Sequence, residues 1–176
     1  MITYEFSLLF SLRSEDEDPD MYVEGLYEAG CNDATIGIGR KGLIALAFDR
    51  EAESATSAIE SAIRDVRKVI PQAKLIEASP DYVGLTEAAE IAGFSRQNMR
   101  KLMLKGATSF PIAVHAGSPA VYHLHSLLKW FKDVRKIEVR DDLVEISAVT
   151  RQVNLAKELS QLPKRGLSKR LQALVA

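Results

Sequence analysis

Along the first 13 residues, Tyr4, Phe6, Leu8, Phe10 and Leu12 alternate with Glu5, Ser7, Leu9, Ser11 and Arg13. A period of two with aromatic residues on one side predicts a strand with one buried face. The acidic run Glu15-Asp16-Glu17-Asp18-Pro19-Asp20 breaks it as a solvated turn. Met21, Val23, Leu26 and Tyr27 then mark a short helix that stops near Gly30. Residues 34–39 and 43–49 are two β-rich runs around the turn Arg40-Lys41-Gly42, the signature of a hairpin. Ala52, Ala55, Ile59, Ala62, Ile63, Val66, Val69 and Ile70 recur every three or four positions, which predicts a long amphipathic helix ended by Pro71. Residues 74–78 close with a fourth strand. The predicted order β-α-β-β-α-β is the ferredoxin-like pattern, an antiparallel sheet with both helices on one face.

Past Ser79-Pro80-Asp81 the pattern changes. Thr86 is an expected helix N-cap with Glu87 in the first turn, and this helix ends at Gly93. Ser95 is a second N-cap only two residues later. Ala88, Ala89 and Ile91 supply the packing side of the first helix, and Phe94, Met99 and Leu102 that of the turn and second helix. So tight a junction between two helices predicts a helix-turn-helix. Further on, Val139, Leu143, Ile146, Val149, Val153, Ala156 and Leu159 recur at helical spacing up to Pro163. Thr150 and Lys157 interrupt the seam of that last helix, which argues against a long coiled coil and leaves open packing onto its own chain.

Charge sharpens this division. The 176 residues carry a net charge of −1, with 47% hydrophobic and 27% charged residues. Residues 1–80 hold 8 Lys/Arg against 15 Asp/Glu, a balance of −7, whereas residues 81–136 hold 8 against 4, a balance of +4. Residues 137–176 hold 7 against 5, which leaves +2. The second half is therefore the part expected to meet a polyanion. The predicted second helix has no acidic residue from Ser95 to Lys105, and its exposed positions are Arg96, Gln97, Asn98, Arg100, Lys101 and Lys105. Arginine reads guanine, and glutamine or asparagine reads adenine, from the first turn of a helix in the major groove.

Residues 85–102 resemble the helix-turn-helix of excisionase-like and MerR-like winged-helix proteins, in which a Thr-capped helix with an Ala pair leads into Gly, an apolar residue, Ser and a basic helix. The resemblance extends over residues 82–132, about a third of the chain. Phe110-Pro111-Ile112-Ala113-Val114 resembles the first wing strand, Val121-Tyr122 the second, and Ser126-Leu127-Leu128-Lys129-Trp130-Phe131 the closing helix with its buried aromatic. It implies binding to double-stranded DNA. That family's wing usually carries Arg or Lys; here His115-Ala116-Gly117-Ser118-Pro119-Ala120 has neither. Ser118 and backbone amides are left to meet phosphate.

Other motifs point elsewhere and fail on context. Gly37-Ile38-Gly39-Arg40-Lys41-Gly42 matches G-x-G-x-x-G but leads into a strand, where a dinucleotide loop needs a helix. Asp16, Asp18 and Asp20 imitate a calcium loop, yet Pro19 interrupts it, Met21 stands at the glycine position and Tyr27 at the twelfth. His115, His123 and His125 lack a neighbouring thiol or carboxylate of zinc-site spacing, so no metal is expected. With no convergent nucleophile, base and oxyanion set, the chain is not expected to be an enzyme and no cofactor is expected. A lone Cys31, no apolar run of membrane-spanning length and an N-terminus without a cationic leader point to the cytoplasm.

The sequence thus predicts an α+β protein in three parts. Residues 1–79 form an acidic ferredoxin-like domain, 80–136 a winged helix-turn-helix, and 137–176 a C-terminal helix and basic tail. The expected function is site-specific DNA binding, as a transcriptional regulator or a factor controlling excision of a mobile element. A homodimer through the C-terminal helix or the N-terminal domain fits it. The alternative is an antitoxin- or defence-type protein whose acidic domain binds a basic partner, with autoregulatory DNA binding.

Overall fold

The computed structural model describes residues 1–106, 108–162 and 173–174. Among the described residues the fold is mixed α+β, with a four-stranded antiparallel sheet and six α-helices. Strand β1 spans Ile2–Ser11, and a 3-10 turn at Pro19–Tyr22 leads into the short helix α1, Val23–Glu28. Strands β2, Ala34–Gly37, and β3, Leu43–Ala52, form the hairpin. Helix α2, Ala55–Val69, and strand β4, Lys74–Ser79, complete the first 80 residues. The sheet order is β2-β3-β1-β4.

The period-two pattern is spent as expected. Tyr4, Phe6, Leu8 and Phe10 of β1 and Ile44, Leu46 and Phe48 of β3 are all 4% exposed or less. Phe6 lies opposite Phe48 in register, their rings stacked with centroids 5.1 Å apart. Leu26 of α1 and Ala55, Ala58, Ile59, Ala62 and Val66 of α2 close the same core. Residue 50 continues the inward parity of β3, so strand β3 runs three residues beyond the expected end and carries Arg50 under the helices. Helix α2 correspondingly starts after Ser54, whose side chain caps it by accepting from the Ser57 N–H at 3.2 Å.

A second core begins at strand β5, Tyr82–Val83, which sequence periodicity had not flagged because it is two residues long. It pairs with β6, Tyr122–His123. Helices α3, Leu85–Ile91, α4, Arg96–Lys105, and α5, Leu124–Asp133, surround Val83, Met99, Tyr122, Leu127, Trp130 and Phe131.

Helix α6, Asp141–Ser160, joins the two cores. Ile146 belongs to the first, and Leu143 packs against both. Of the apolar seam, Leu143, Ile146 and Val153 pack against the first core and Val139 against the second, all within the chain. The residues that interrupt the seam have a definite use. Strand β4 is a sheet edge, and its outward backbone groups need partners. Thr150 Oγ1 donates to the Pro80 carbonyl at 2.7 Å. Asn154 accepts from the Ala78 N–H at 2.9 Å and donates to the Ala78 carbonyl at 2.8 Å. Lys157 Nζ donates to the Ile76 carbonyl at 2.7 Å. Helix spacing of four and then three thus matches a strand spacing of two along Ile76, Ala78 and Pro80, the last just beyond β4, and the helix runs along the edge as a cover. Glu145, five residues before Thr150 on the same helix, accepts from the Tyr4 hydroxyl at 2.6 Å and from the N–H of Ala55, first residue of α2, at 3.1 Å. The basic tail at Lys164, Arg165, Lys169 and Arg170 lies outside the described residues.

Candidate nucleic-acid interface

The junction between α3 and α4 is built by local backbone chemistry. Gly93 has φ +68°, the left-handed conformation that glycine adopts without a Cβ clash. The Phe94 N–H reaches back to the Ala89 carbonyl at 2.7 Å and the Gly93 N–H to that of Glu90 at 3.0 Å, a Schellman ending that satisfies the last carbonyls of α3. Ser95 then caps α4, its hydroxyl accepting from the Asn98 N–H at 3.2 Å. The start of α3 differs from expectation. Its N-cap is Gly84, with no side-chain cap, and Thr86 lies inside the first turn. The helix begins two residues earlier because Leu85 packs against the second core.

Met99 is fully buried, and Ala88 and Ala89 of α3, both almost fully buried, let the two helices approach. Leu102 and Met103 are half-buried, and the Met103 sulfur accepts from the Tyr122 hydroxyl at 3.9 Å. With that face turned inward, Arg96, Gln97, Asn98, Arg100, Lys101 and Lys105 are all exposed, as is the cap Ser95. Arg96 and Arg100, one turn apart, line a cavity of about 290 Å³ with Leu85 and Met103.

Among the described residues, the eight cations of residues 81–136 fall into two sets. Lys129 pairs with Asp133 at 3.5 Å, and Lys132 pairs with Asp141. Arg96, Arg100, Lys101, Lys105, Arg135 and Lys136 make no ion pair with any described side chain. Arg135 and Lys136 were not singled out from the sequence. They follow α5 in a stretch without periodicity, so no pattern marked them.

The segment expected to form a wing is looser than a two-strand hairpin. Residues 110–114 are not a strand; Pro111 lacks the N–H that a ladder requires, and the pairing reduces to one bridge, His115 with Val121. Tyr122 pairs instead with β5. Ser118 is exposed in the loop between the bridged residues, and no hydrogen bond joins it to α4. Trp130 and Phe131 are buried, as the sequence suggested. Trp130 Nε1 donates to Ser109 Oγ at 3.2 Å, and its ring packs edge-on to Phe110 at 5.1 Å.

The histidines diverge. His123 Nδ1 lies 2.7 Å from Asp81 Oδ1, whereas His125 Nδ1 lies 3.1 Å from the Val144 carbonyl and His115 is exposed. Asp81 is a structural hub. Its second oxygen accepts from Asn154 Nδ2 at 2.9 Å, and its own carbonyl accepts from the Leu124 N–H at 2.7 Å. One buried residue, through its carboxylate and its main-chain carbonyl, thereby fixes β6, α5 and α6 to the segment that leaves β4. Among the described residues no three His, Cys, Asp or Glu side chains converge as metal ligands. Burial pushes the Cys31 thiol up to about 11, so it stays protonated at neutral pH.

No protein-family model, no curated protein and no solved structure matches this chain.

Proposed function

We propose that this chain is a site-specific double-stranded-DNA-binding protein of regulatory type, in which a ferredoxin-like domain precedes a winged helix-turn-helix. What carries the proposal is the unpaired, acid-free outer face of α4. Arg96, Gln97 and Asn98 occupy its first turn and Arg100, Lys101 and Lys105 follow. Cations that protein carboxylates do not neutralise are free to release counterions from phosphate. Side chains in the first turn of such a helix are the ones that reach base edges. The order β2-β3-β1-β4 supports the ferredoxin-like reading of the first 80 residues, and the Schellman turn with the Ser95 cap supports the helix-turn-helix. On this reading the protein acts in the cytoplasm, and a homodimer would present two α4 helices to two half-sites.

The test is selection of bound duplexes from a random pool, followed by titration of variants on the selected and a scrambled duplex. Arg96→Ala and Gln97→Ala are expected to lose about 1–3 kcal/mol on the selected site and to relax preference at one or two positions. Lys105→Ala is expected to weaken both duplexes alike. Equal losses on both duplexes for Arg96→Ala and Gln97→Ala would make α4 a phosphate clamp without base readout. No enrichment from the pool would overturn the proposal.

A further inference from the structure

The six cations that pair with no described side chain are not confined to α4, and their arrangement extends the proposed site. We propose that Arg135 and Lys136 form a second phosphate-binding element, continuous with the C-terminal end of α4, which supplies the backbone contact that the uncharged loop at residues 115–120 lacks. This rests on the DNA-binding reading above and adds to it where the duplex backbone runs.

The link between the two elements is Trp130. Helix α4 ends at Lys105 and is capped by Gly106, whose backbone lies against the indole. A Cβ at residue 106 would stand 2.7 Å from Trp130 Cζ2, closer than packed atoms tolerate. The same indole donates to Ser109, so its plane is locked. The Arg135 guanidinium carbon lies over the Trp130 ring, 5.6 Å from a ring centroid. The C-terminal end of α4, at Gly106, and Arg135 therefore meet at one fixed aromatic plate. A guanidinium set over an aromatic ring still has N–H donors free, and those donors can take phosphate oxygens in a bidentate manner. Lys136 follows with φ +55°, a left-handed residue that turns the chain away from α5. Both side chains are exposed, and neither is neutralised by a described carboxylate. Lys129 and Lys132, on the preceding helix α5, are also exposed but pair with Asp133 and Asp141. They are the internal control for mere positive charge.

The experiment is equilibrium binding of the full chain to a mixed-sequence duplex over a salt series, by anisotropy of the labelled DNA. Wild type is compared with Arg135→Gln, Lys136→Gln, the double variant and the control Lys129→Gln. Glutamine at 135 still covers the indole, and emission from Trp130, the only tryptophan, reports whether the packing survives. Each lost phosphate contact lowers the log–log salt slope by about 0.9, so the double variant is expected to lose about 1.8 and Lys129→Gln nothing. DNA is also expected to change Trp130 emission in the wild type and not in Arg135→Gln. A double variant with the wild-type slope overturns this inference and leaves the DNA-binding reading standing. So does a Lys129→Gln variant that loses as much slope as Lys136→Gln. A wild type that binds no duplex at low salt overturns both.

Discussion

Arg50 and Arg100 belong to regions that use the same side chain in opposite ways. Arg50 sits under the helices of the N-terminal sheet, and every guanidinium N–H is spent. Nε and Nη2 bridge the Asp33 carboxylate at 2.7 and 2.9 Å, Nη1 reaches Asp65 at 2.9 Å and Ser61 at 3.1 Å, and Nη2 also reaches the Gly30 carbonyl at 2.7 Å. Burial works against its charge, but Asp33 and Asp65 outweigh this and hold the guanidinium more firmly protonated than usual. Arg100 stands in solvent with no described carboxylate against it. The difference lies in where charge is balanced. The acidic region settles its buried charge internally, whereas the basic one leaves cations open. A net charge of −1 for the whole chain conceals both facts.

The comparison can be broken at several points. The largest effect is expected at Arg50→Met, which leaves Asp33 without its cation and Asp65 with only the exposed Lys68. Removing one side of a buried ion network costs about 3–5 kcal/mol. Urea unfolding would show it, and a loss under about 1 kcal/mol would mean the network is not what holds the Gly30–Asp33 loop. Asn154→Ala comes next. It strands the Ala78 N–H and carbonyl and one oxygen of Asp81, for an expected loss of about 2–3 kcal/mol by the same measurement.

In the basic region the contrast predicts small changes in stability. Ser95→Ala removes the cap of α4 and is expected to cost about 1 kcal/mol. Arg100→Gln removes only an open charge and is expected to stay within about 0.5 kcal/mol of wild type. If Arg100→Gln destabilised as much as Ser95→Ala, the cations of α4 would be structural and the comparison would fail.

The smallest effect at neutral pH becomes visible in alkali. Burial, and then the hydrogen bond to Glu145, push the Tyr4 hydroxyl up from 10.0 to about 12. The folded state therefore holds this proton more tightly than the unfolded chain. Its contribution is complete below pH 10 and is lost as pH rises from 10 to 12. Wild type is expected to lose stability across that window more steeply than Tyr4→Phe. Parallel pH profiles in urea unfolding would show that the Tyr4–Glu145 contact does not tie α6 to the sheet.

Much of the sheet was legible because its signal is local. The alternation in β1 and the three- and four-residue steps of α2 follow from one buried face each, and both appear in the structure with boundaries shifted by a few residues. The candidate site was legible in the same way. Ser95, Gly93 and the acid-free run to Lys105 are neighbours in sequence, so their cap, turn and shared face needed no distant partner. The wing strand at residues 110–114 and the Thr86 cap were misread. Each depends on what a distant segment offers: β5 takes the pairing of Tyr122, and the second core draws Leu85 into the helix.

What the sequence determined by itself is the set of structures whose forces act within a few residues: period, caps, turns and the sign of charge along each stretch. Only the tertiary structure decided how long-range polar groups are used. Thr150 and Lys157 look like flaws in an apolar seam until β4 lies beside α6 and its free carbonyls need donors. Asp81 is an unremarkable boundary residue until His123 and Asn154 converge on it. Arg135 acquires its place only when Trp130, fixed against Gly106, gives it a surface beside the end of α4. A hydrogen bond or ion pair is satisfied by whichever partner the fold brings within reach, and sequence order does not encode that distance.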